Sequence, residues 1–292
     1  MRPSPDCMPA ALLALLLAGC TVPALAPRPD GAHSLELIGG SRLLVAARIN
    51  GRPVRALLDS AAEATLLDRE FARSLGLAAG TAVTARGSGA AEVDATLVSG
   101  VTLEAAGLTL LGQTVAIVDL ADVGHRLLGG RVDAILGREL FDAARLRIDI
   151  GHGTIEAVDR AAAPPGERCA LETRNGIGTF LVRVEDGAPV RATFDLGNGS
   201  KVLIGEAYAR RAGLLAARAV TTERGGGLGG ETTLEVITLT SLELAGRRFG
   251  NVPATIDRQP TATDVNVGTS LLRHFLITTD FAAHALWLAP ID

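Results

Sequence analysis

Two stretches of the sequence are nearly the same, Arg52-Pro-Val-Arg-Ala-Leu-Leu-Asp59 and Ala188-Pro-Val-Arg-Ala-Thr-Phe-Asp195. Each is an apolar run of strand length that ends in an aspartate. Each also follows a dipeptide that favours a β-hairpin turn, Asn50-Gly51 in the first copy and Asp186-Gly187 in the second. The aspartate comes eight residues after the turn glycine in both copies, which lie 136 positions apart. The repeat therefore predicts two β-rich halves, each with one acidic residue at the same place.

Further matched segments keep the two halves in register. Ile135-Leu136-Gly137 corresponds to Asn266-Val267-Gly268, and Ile148-Asp149-Ile150 corresponds to Thr279-Asp280-Phe281, both at an offset of 131. Between these landmarks each half has a short helix closed by a glycine, then a glycine-rich loop and alternating strands. These segments are the helices 68–75 and 206–212 with Gly76 and Gly213, the loops 86–89 and 224–230, and the strand 232–240. The sequence predicts a mainly β fold of two tandem lobes related by a pseudo-twofold axis.

The amino terminus predicts export and a lipid anchor. Residues 9–19 form an apolar run too short to span a bilayer as a helix but long enough for a signal-peptide core. The run ends in Leu17-Ala18-Gly19-Cys20, which resembles a bacterial lipobox with its lipid-modified cysteine. An ordinary secretory signal, cleaved after Ala24 or Ala26, is the alternative. Thr21 resembles lipoproteins sent to the outer membrane, so we expect a periplasm-facing protein of the bacterial cell envelope, at the outer membrane rather than the inner one.

These landmarks divide the chain into five predicted segments. A proline-rich stretch precedes the first repeat, and a second one, Ala161-Ala-Ala-Pro-Pro-Gly-Glu167, separates the two copies. The segments are a signal peptide at 1–19, a tether at 20–34, lobe 1 at 35–160, a linker at 161–168 and lobe 2 at 169–292.

Composition excludes several classes of function. The chain has 292 residues, of which 48% are hydrophobic, and this argues against a disordered or fibrous protein. The 28 basic and 32 acidic residues give a formal charge of −4 without a dense basic cluster, so we expect no nucleic-acid partner. The cysteines, Cys7, Cys20 and Cys169, include no Cys-x-x-Cys pair, so we expect neither a metal site nor a disulfide framework.

The two aspartates suggest a specific chemistry. Asp59 and Asp195 each follow an apolar strand, where we expect their carboxylates to lose hydration, and an unpaired buried charge is unfavourable. If the lobes pack about a pseudo-twofold axis, the carboxylates can face each other and share one proton. A water held between them could attack an amide carbonyl, with one aspartate as base and the other as acid. A single such aspartate would more simply cap a turn, but a matched pair favours catalysis.

The residues that follow the first aspartate resemble a known family. Ala56-Leu-Leu-Asp59-Ser60-Ala61-Ala62, with Ile135-Leu136-Gly137 before a short helix, is similar to retropepsin-like aspartic peptidases. Their signature is a hydrophobic strand, Asp-Thr/Ser-Gly-Ala, and a later pair of hydrophobic residues before glycine. Counted as two copies, the resemblance covers nearly all of residues 35–292.

The resemblance implies roles for particular residues. Asp59 and Asp195 would form the catalytic dyad, supported in the active loops by Ser60, Ala61, Gly197 and Asn198. The tips of two mobile flaps that close over a peptide or protein substrate would be Gly87, Ser88, Gly89, Gly226, Gly227 and Gly229. The family requires no metal or organic cofactor. The active species would be a monomer, with the two lobes as an internal pseudo-dimer.

Lobe 2 departs from the family pattern. Asp195-Leu196-Gly197-Asn198 lacks the hydroxyl that in the family bridges the two active loops, and Asn198 or Ser200 could supply a substitute. In lobe 1, Ala61 replaces the family's glycine. Two functions follow as hypotheses. One is an active aspartic endopeptidase, and the other is a catalytically inactive module that binds extended peptides or an envelope partner. A purely structural lipoprotein would have no open cleft between the lobes.

The loop 225–230 also matches Gly-x-Gly-x-x-Gly, the dinucleotide fingerprint, which needs a helix after it. The residues that follow alternate like a strand instead. A flap or a plain glycine-rich hairpin turn is therefore favoured over nucleotide binding.

Overall fold

The structure is a computed structural model that describes residues 31–174, 176–216 and 218–291. The predicted signal peptide, Cys20 and most of the predicted tether lie outside the described residues. No helix in the described part of the chain combines the length and the apolar character needed to cross a membrane.

Lobe 1 alternates strands with short helices. Its strands are β1 His33–Ile38, β2 Arg42–Ile49, β3 Arg52–Leu58, β4 Leu66–Asp68, β5 Thr81–Arg86, β6 Glu92–Ala105, β7 Leu108–Val118, β8 Ala134–Leu136, β9 Leu146–Asp149 and β10 Thr154–Ala157. Its helices are α1 Arg69–Ser74, α2 Ala121–Leu128 and α3 Arg138–Ala143.

Lobe 2 repeats this pattern. Its strands are β11 Glu167–Ala170, β12 Glu172–Arg174, β13 Ile177–Val184, β14 Pro189–Phe194, β15 Val202–Gly205, β16 Thr221–Gly225, β17 Thr232–Leu244, β18 Arg247–Asp257, β19 Val265–Val267, β20 Phe275–Asp280 and β21 Ala285–Pro290. Its helices are α4 Glu206–Arg211 and α5 Thr269–Leu272.

Both lobes use the same strand order. Lobe 1 runs β1-β2-β3-β8-β4-β7-β6-β5, and lobe 2 runs β12-β13-β14-β19-β15-β18-β17-β16. In each lobe the strand that directly precedes the aspartate pairs in parallel with the short strand that precedes Gly137 or Gly268. These pairs are β3 with β8 and β14 with β19. The prediction of a mainly β fold with two tandem lobes is confirmed.

A third set of strands joins the lobes. The order β11-β21-β20-β9-β10-β1 makes one continuous sheet, in which β20 of lobe 2 pairs with β9 of lobe 1. Asp280, fully buried at the end of β20, accepts hydrogen bonds from Arg145 at 3.1 Å and from Arg160 at 3.0 Å, so its charge is paired. β11 begins at Glu167, inside the predicted linker, and β1 begins at His33, inside the predicted tether.

The two hairpin turns before the aspartates differ. Asn50 and Gly51 both adopt left-handed backbone angles, with φ of 49° and 78°, as a type I′ turn requires. In the second hairpin the left-handed residue is Glu185, with φ of 53°, and Gly187 lies outside that region. The Glu185 carboxylate accepts a hydrogen bond from the Thr240 backbone N–H at 2.8 Å, which secures this turn to β17. The sequence located both hairpins but not the form of the second turn.

Candidate active site

The two aspartates occupy equivalent places in their lobes. Asp59 directly follows β3, and its backbone N–H donates to the Leu136 carbonyl at 3.0 Å. Asp195 directly follows β14, and its N–H donates to the Val267 carbonyl at 3.1 Å. Each active loop is thus fixed to the residue that precedes the motif glycine of its own lobe. The matched sequence segments therefore correspond to matched geometry.

The loop backbone orients each carboxylate in a similar way. Asp59 Oδ1 accepts hydrogen bonds from the N–H groups of Ala61 at 2.8 Å and Ala62 at 3.1 Å. Asp195 Oδ1 accepts one from the N–H of Asn198 at 2.9 Å. Ala61 and Ala62 lie two and three residues after Asp59, and Asn198 lies three after Asp195. The alanine at position 61 thus still provides the N–H that the family's glycine provides.

The two active loops touch each other across the lobe boundary. A Cβ atom placed on Gly197 would lie 2.3 Å from Cγ of Asp59 and 2.4 Å from its Oδ2. The Asp59 carboxylate therefore packs directly against the backbone of the opposite loop, where only glycine leaves room for it. This contact brings the two predicted catalytic aspartates into one site.

Ser60 bridges the loops with a single buried hydroxyl. Its Oγ donates to the Phe194 carbonyl at 2.9 Å and accepts from the Leu196 N–H at 2.9 Å, and the residue is 1% exposed. Leu196, at 0% exposure, belongs to the apolar core and has no hydroxyl that could form an equivalent bridge from lobe 2 to lobe 1. The Asn198 side chain bonds within its own lobe, so it does not restore the missing half. Ser200, the other predicted substitute, is exposed.

Burial and mutual repulsion set the electrostatics of the pair. Burial, followed by the negative charge of Asp195, raises the pKa of Asp59 to about 7, and the N–H groups of Ala61 and Ala62 oppose the shift. Burial also raises the pKa of Asp195, against hydrogen bonds led by that from Asn266. Two nearby carboxyls with raised pKa values hold one proton between them more readily than two charges.

Arg42, at the start of β2, is a cation whose charge acts on both aspartates. Its Nη1 donates to the Gly197 carbonyl, so the guanidinium from lobe 1 contacts the active loop of lobe 2. Burial lowers the pKa of Arg42, and the negative charges of Asp195 and Asp59 oppose that shift. The positive charge in turn lowers the pKa of each aspartate, although less than the other causes change it.

The two predicted flap loops meet at their tips. The N–H of Gly89 donates to the Leu228 carbonyl at 2.8 Å, and the N–H of Ala91 donates to the Gly229 carbonyl at 2.9 Å. A Cβ on Gly227 would lie 2.3 Å from Ser88 Oγ, so these residues also face each other. The remaining predicted tip residues, Gly87 and Gly226, contact Leu228 and Gly230 respectively.

Side chains from both lobes support the joined tips. Arg126 in α2 of lobe 1 donates to the carbonyls of Gly226 at 3.1 Å and Gly227 at 2.9 Å in lobe 2. Gln259 of lobe 2 donates to the Gly89 carbonyl at 2.8 Å. The Leu228 side chain crosses to an apolar cluster of lobe 1. These contacts tie the two loops to the lobes as well as to each other.

Comparison with known proteins agrees with this geometry. The aspartyl protease family model matches the chain twice, at residues 45–140 and 181–271, and each match contains one of the two aspartates. The chain belongs to the aspartyl protease family. The resemblance to retropepsin-like proteins, read twice along one chain, is confirmed. No curated protein matches the chain.

Sequence reasoning missed two residues of this aspartyl protease site. Asn266 Nδ2 donates to Asp195 Oδ2 at 2.7 Å. The sequence could have indicated this residue, because Asn266 is polar in an otherwise apolar motif and corresponds to Ile135 in lobe 1. Arg42 gave no such signal, because its contact with Gly197 spans 155 positions and depends on how the lobes pack.

Proposed function

We propose that this chain is an aspartic endopeptidase that hydrolyses peptide bonds with an Asp59–Asp195 dyad and an activated water. The observation that carries the proposal is the close packing of the Asp59 carboxylate on Gly197 of the opposite active loop. The Ser60 bridge supports it, because two hydrogen bonds of 2.9 Å each join Ser60 Oγ to the active loop of lobe 2. A general acid and a general base on opposite sides of one water are what amide hydrolysis needs.

The charges of the site suit this chemistry. With its pKa raised to about 7, Asp59 keeps its proton in mildly acidic solution and can act as the general acid. The ionised carboxylate takes a proton from the water as its oxygen attacks the carbonyl carbon, and the protonated carboxyl donates to the carbonyl oxygen. The joined loops at Gly89 and Gly229 would have to part for a peptide to enter, and they would exclude bulk water once closed.

We further propose that the enzyme acts at the cell envelope. The lipobox ending at Cys20 supports a lipid anchor, and Thr21 after it supports the outer membrane, with the lobes facing the periplasm. Metabolic labelling with a fatty acid should mark the full chain and leave Cys20→Ala unmarked. Equal labelling of the two proteins would contradict the anchor.

A second candidate function is an inactive, peptide-binding relative. The observation that favours it is Leu196, whose burial leaves the inter-loop bridge with one hydroxyl instead of two. Such a protein would use the cleft and the two loops to hold an extended peptide without cleaving it.

Cleavage of a diverse peptide library from acidic to neutral pH separates these functions. The test set is the wild type, Asp59→Asn and Asp195→Asn, with Asp186→Asn as the control because Asp186 lies in an exposed hairpin turn. We expect cleavage by the wild type and the control, and a loss of 100-fold or more, on the order of a general acid–base contribution, in each dyad variant. Unchanged rates in the dyad variants would contradict the mechanism. A folded but inactive wild type would favour the binding module.

A further inference from the structure

The two glycine motifs place different side chains beside the two aspartates. Ile135 in β8 pairs with Leu57 of β3 and Leu66 of β4. Asn266 in β19 occupies the corresponding position, since it pairs with Thr193 of β14 and Leu203 of β15. The site therefore has an apolar side chain at this position in lobe 1 and an amide in lobe 2.

The orientation of the Asn266 amide is fixed by its neighbour. Asn198 Nδ2 donates to the Lys201 carbonyl at 3.1 Å and to Asn266 Oδ1 at 2.9 Å. Asn198 Oδ1 accepts from the Ser200 N–H at 2.9 Å, so hydrogen bonds at both ends fix which atom of the Asn198 amide is oxygen and which is nitrogen. With its oxygen occupied by Asn198, Asn266 presents its Nδ2 to Asp195 Oδ2 at 2.7 Å. Asn266 is therefore a hydrogen-bond donor to Asp195.

This donor distinguishes the two carboxyls. A hydrogen bond donated to a carboxylate favours its ionised form, and charge-assisted bonds are stronger than neutral ones. Asp195 accepts hydrogen bonds at both oxygens, from the backbone N–H of Asn198 at Oδ1 and from the Asn266 side-chain amide at Oδ2. Within the described residues, the donors to Asp59 are the backbone N–H groups of Ala61 and Ala62, and both donate to Oδ1, which leaves Oδ2 to carry the shared proton. The shared proton is thus less favoured on Asp195 than on Asp59.

We propose that Asn266 is a positioning residue that keeps Asp195 as the ionised member of the dyad and leaves the shared proton on Asp59. The catalytic roles in this inference rest on the proposed function, whereas the hydrogen bond between Asn266 and Asp195 does not. It assigns Asp195 as the first base and Asp59 as the first acid.

The proton movements balance with these roles. Asp195 takes a proton from water as the water oxygen bonds to the carbonyl carbon, and the carbonyl oxygen takes the proton of Asp59, which gives a gem-diol. The C–N bond then breaks as Asp195 returns its proton to the amine nitrogen and Asp59 takes one from a diol hydroxyl. The products are a carboxylic acid and an amine, and the dyad returns to its starting state.

The first test measures a titration and needs no activity. In an Asp59→Asn background, Asp195 titrates without its coupled partner, and NMR of carboxyl-¹³C-labelled aspartate follows it. We expect Asn266→Leu to move the Asp195 midpoint to higher pH. Ile135→Val, a change at the equivalent place in lobe 1, should leave it in place. Asn266→Val, a smaller β-branched change, gives the same test if Asn266→Leu does not fold. An unchanged or lowered midpoint would overturn the proposal.

The second test is the pH profile of peptide cleavage. Because an ionised base is needed, we expect the acidic limb of kcat/KM to move to higher pH in Asn266→Leu, with kcat/KM on that limb roughly ten-fold lower, as for one lost charge-assisted hydrogen bond. KM should change little. A uniform loss at every pH would indicate a merely structural role and would contradict the assignment. If the wild type cleaves nothing, the proposed function fails, while the titration still decides the role of Asn266.

Discussion

The residue after the proposed catalytic aspartate is a serine in lobe 1 and a leucine in lobe 2. Ser60 uses its hydroxyl to bond to Phe194 and Leu196 across the lobe boundary. Leu196 instead packs its side chain into the apolar core and offers only its backbone N–H to the bridge. Among the described residues, lobe 2 has a hydrogen bond from Asn266 to Asp195 that has no counterpart in lobe 1. Equivalent loops thus hold equivalent acids by different means.

The difference shows what a single chain with two lobes permits. Two identical subunits must present identical active loops, so a change in one loop is made in both. In this chain each lobe has its own sequence, and one hydroxyl, at Ser60, holds two loops together. Leu196 of the other loop packs into the apolar core instead, and the two carboxyls have different hydrogen-bond donors.

The largest expected loss comes from forcing the two loops to match. Leu196→Ser would restore the family's hydroxyl, but it removes a fully buried side chain and places a polar group in the core. We expect the free energy of unfolding to fall by about 3 kcal/mol, measured by urea denaturation. Leu196→Met, which nearly keeps the volume, is the control and should lose less than about 1.5 kcal/mol. A stabilised Leu196→Ser protein would show that packing does not explain the leucine.

A smaller loss is expected from exchanging the residues two positions after each aspartate. Gly197→Ala puts a Cβ 2.3 Å from Cγ of Asp59, so the carboxylate must move, and we expect kcat/KM to fall about 100-fold. The reverse change, Ala61→Gly, adds backbone freedom without a clash and should destabilise by about 1 kcal/mol or less. Equal effects of the two changes on kcat/KM would mean that the loops are equivalent after all.

The remaining expected effect is a pH dependence of the free energy of unfolding that comes from Asp59 in lobe 1. Asp59 has a pKa raised from 3.8 to about 7 by burial and by Asp195, so the folded state binds its proton more tightly than the unfolded state does. The free energy of unfolding should therefore be highest below pH 3.8 as far as this group is concerned, and should decrease as pH rises towards 7. Asp59→Asn should flatten this part of the profile. A wild-type profile that instead rises over this interval, with the slope lost in Asp59→Asn, would contradict the raised pKa.

Local patterns in the sequence predicted much of the fold. The strand before each aspartate, the hairpin at Asn50-Gly51 and the helix after Asp68 follow from alternation, turn residues and capping within a few positions. The turn at Glu185 was not predictable in form, because its geometry depends on a bond to Thr240 in another strand.

The contacts between the lobes could be predicted only in part. The missing hydroxyl at Leu196 was visible in the sequence, but its burial in the core was not. The contact of Arg42 with Gly197 joins residues far apart in the chain, which no local pattern encodes. Asn266 stood out only by its polarity in an apolar motif, and its role depends on the amide orientation that Asn198 imposes.

We propose that Asp59 and Asp195 of one chain form one catalytic dyad. The most direct test of this dyad is the peptide cleavage rate of an equimolar mixture of Asp59→Asn and Asp195→Asn, compared with the wild type and with each variant alone. If each active site is built from the two lobes of a single chain, the mixture stays as inactive as its components while the wild type cleaves. Recovery of cleavage in the mixture, or full activity in either variant alone, would contradict the account.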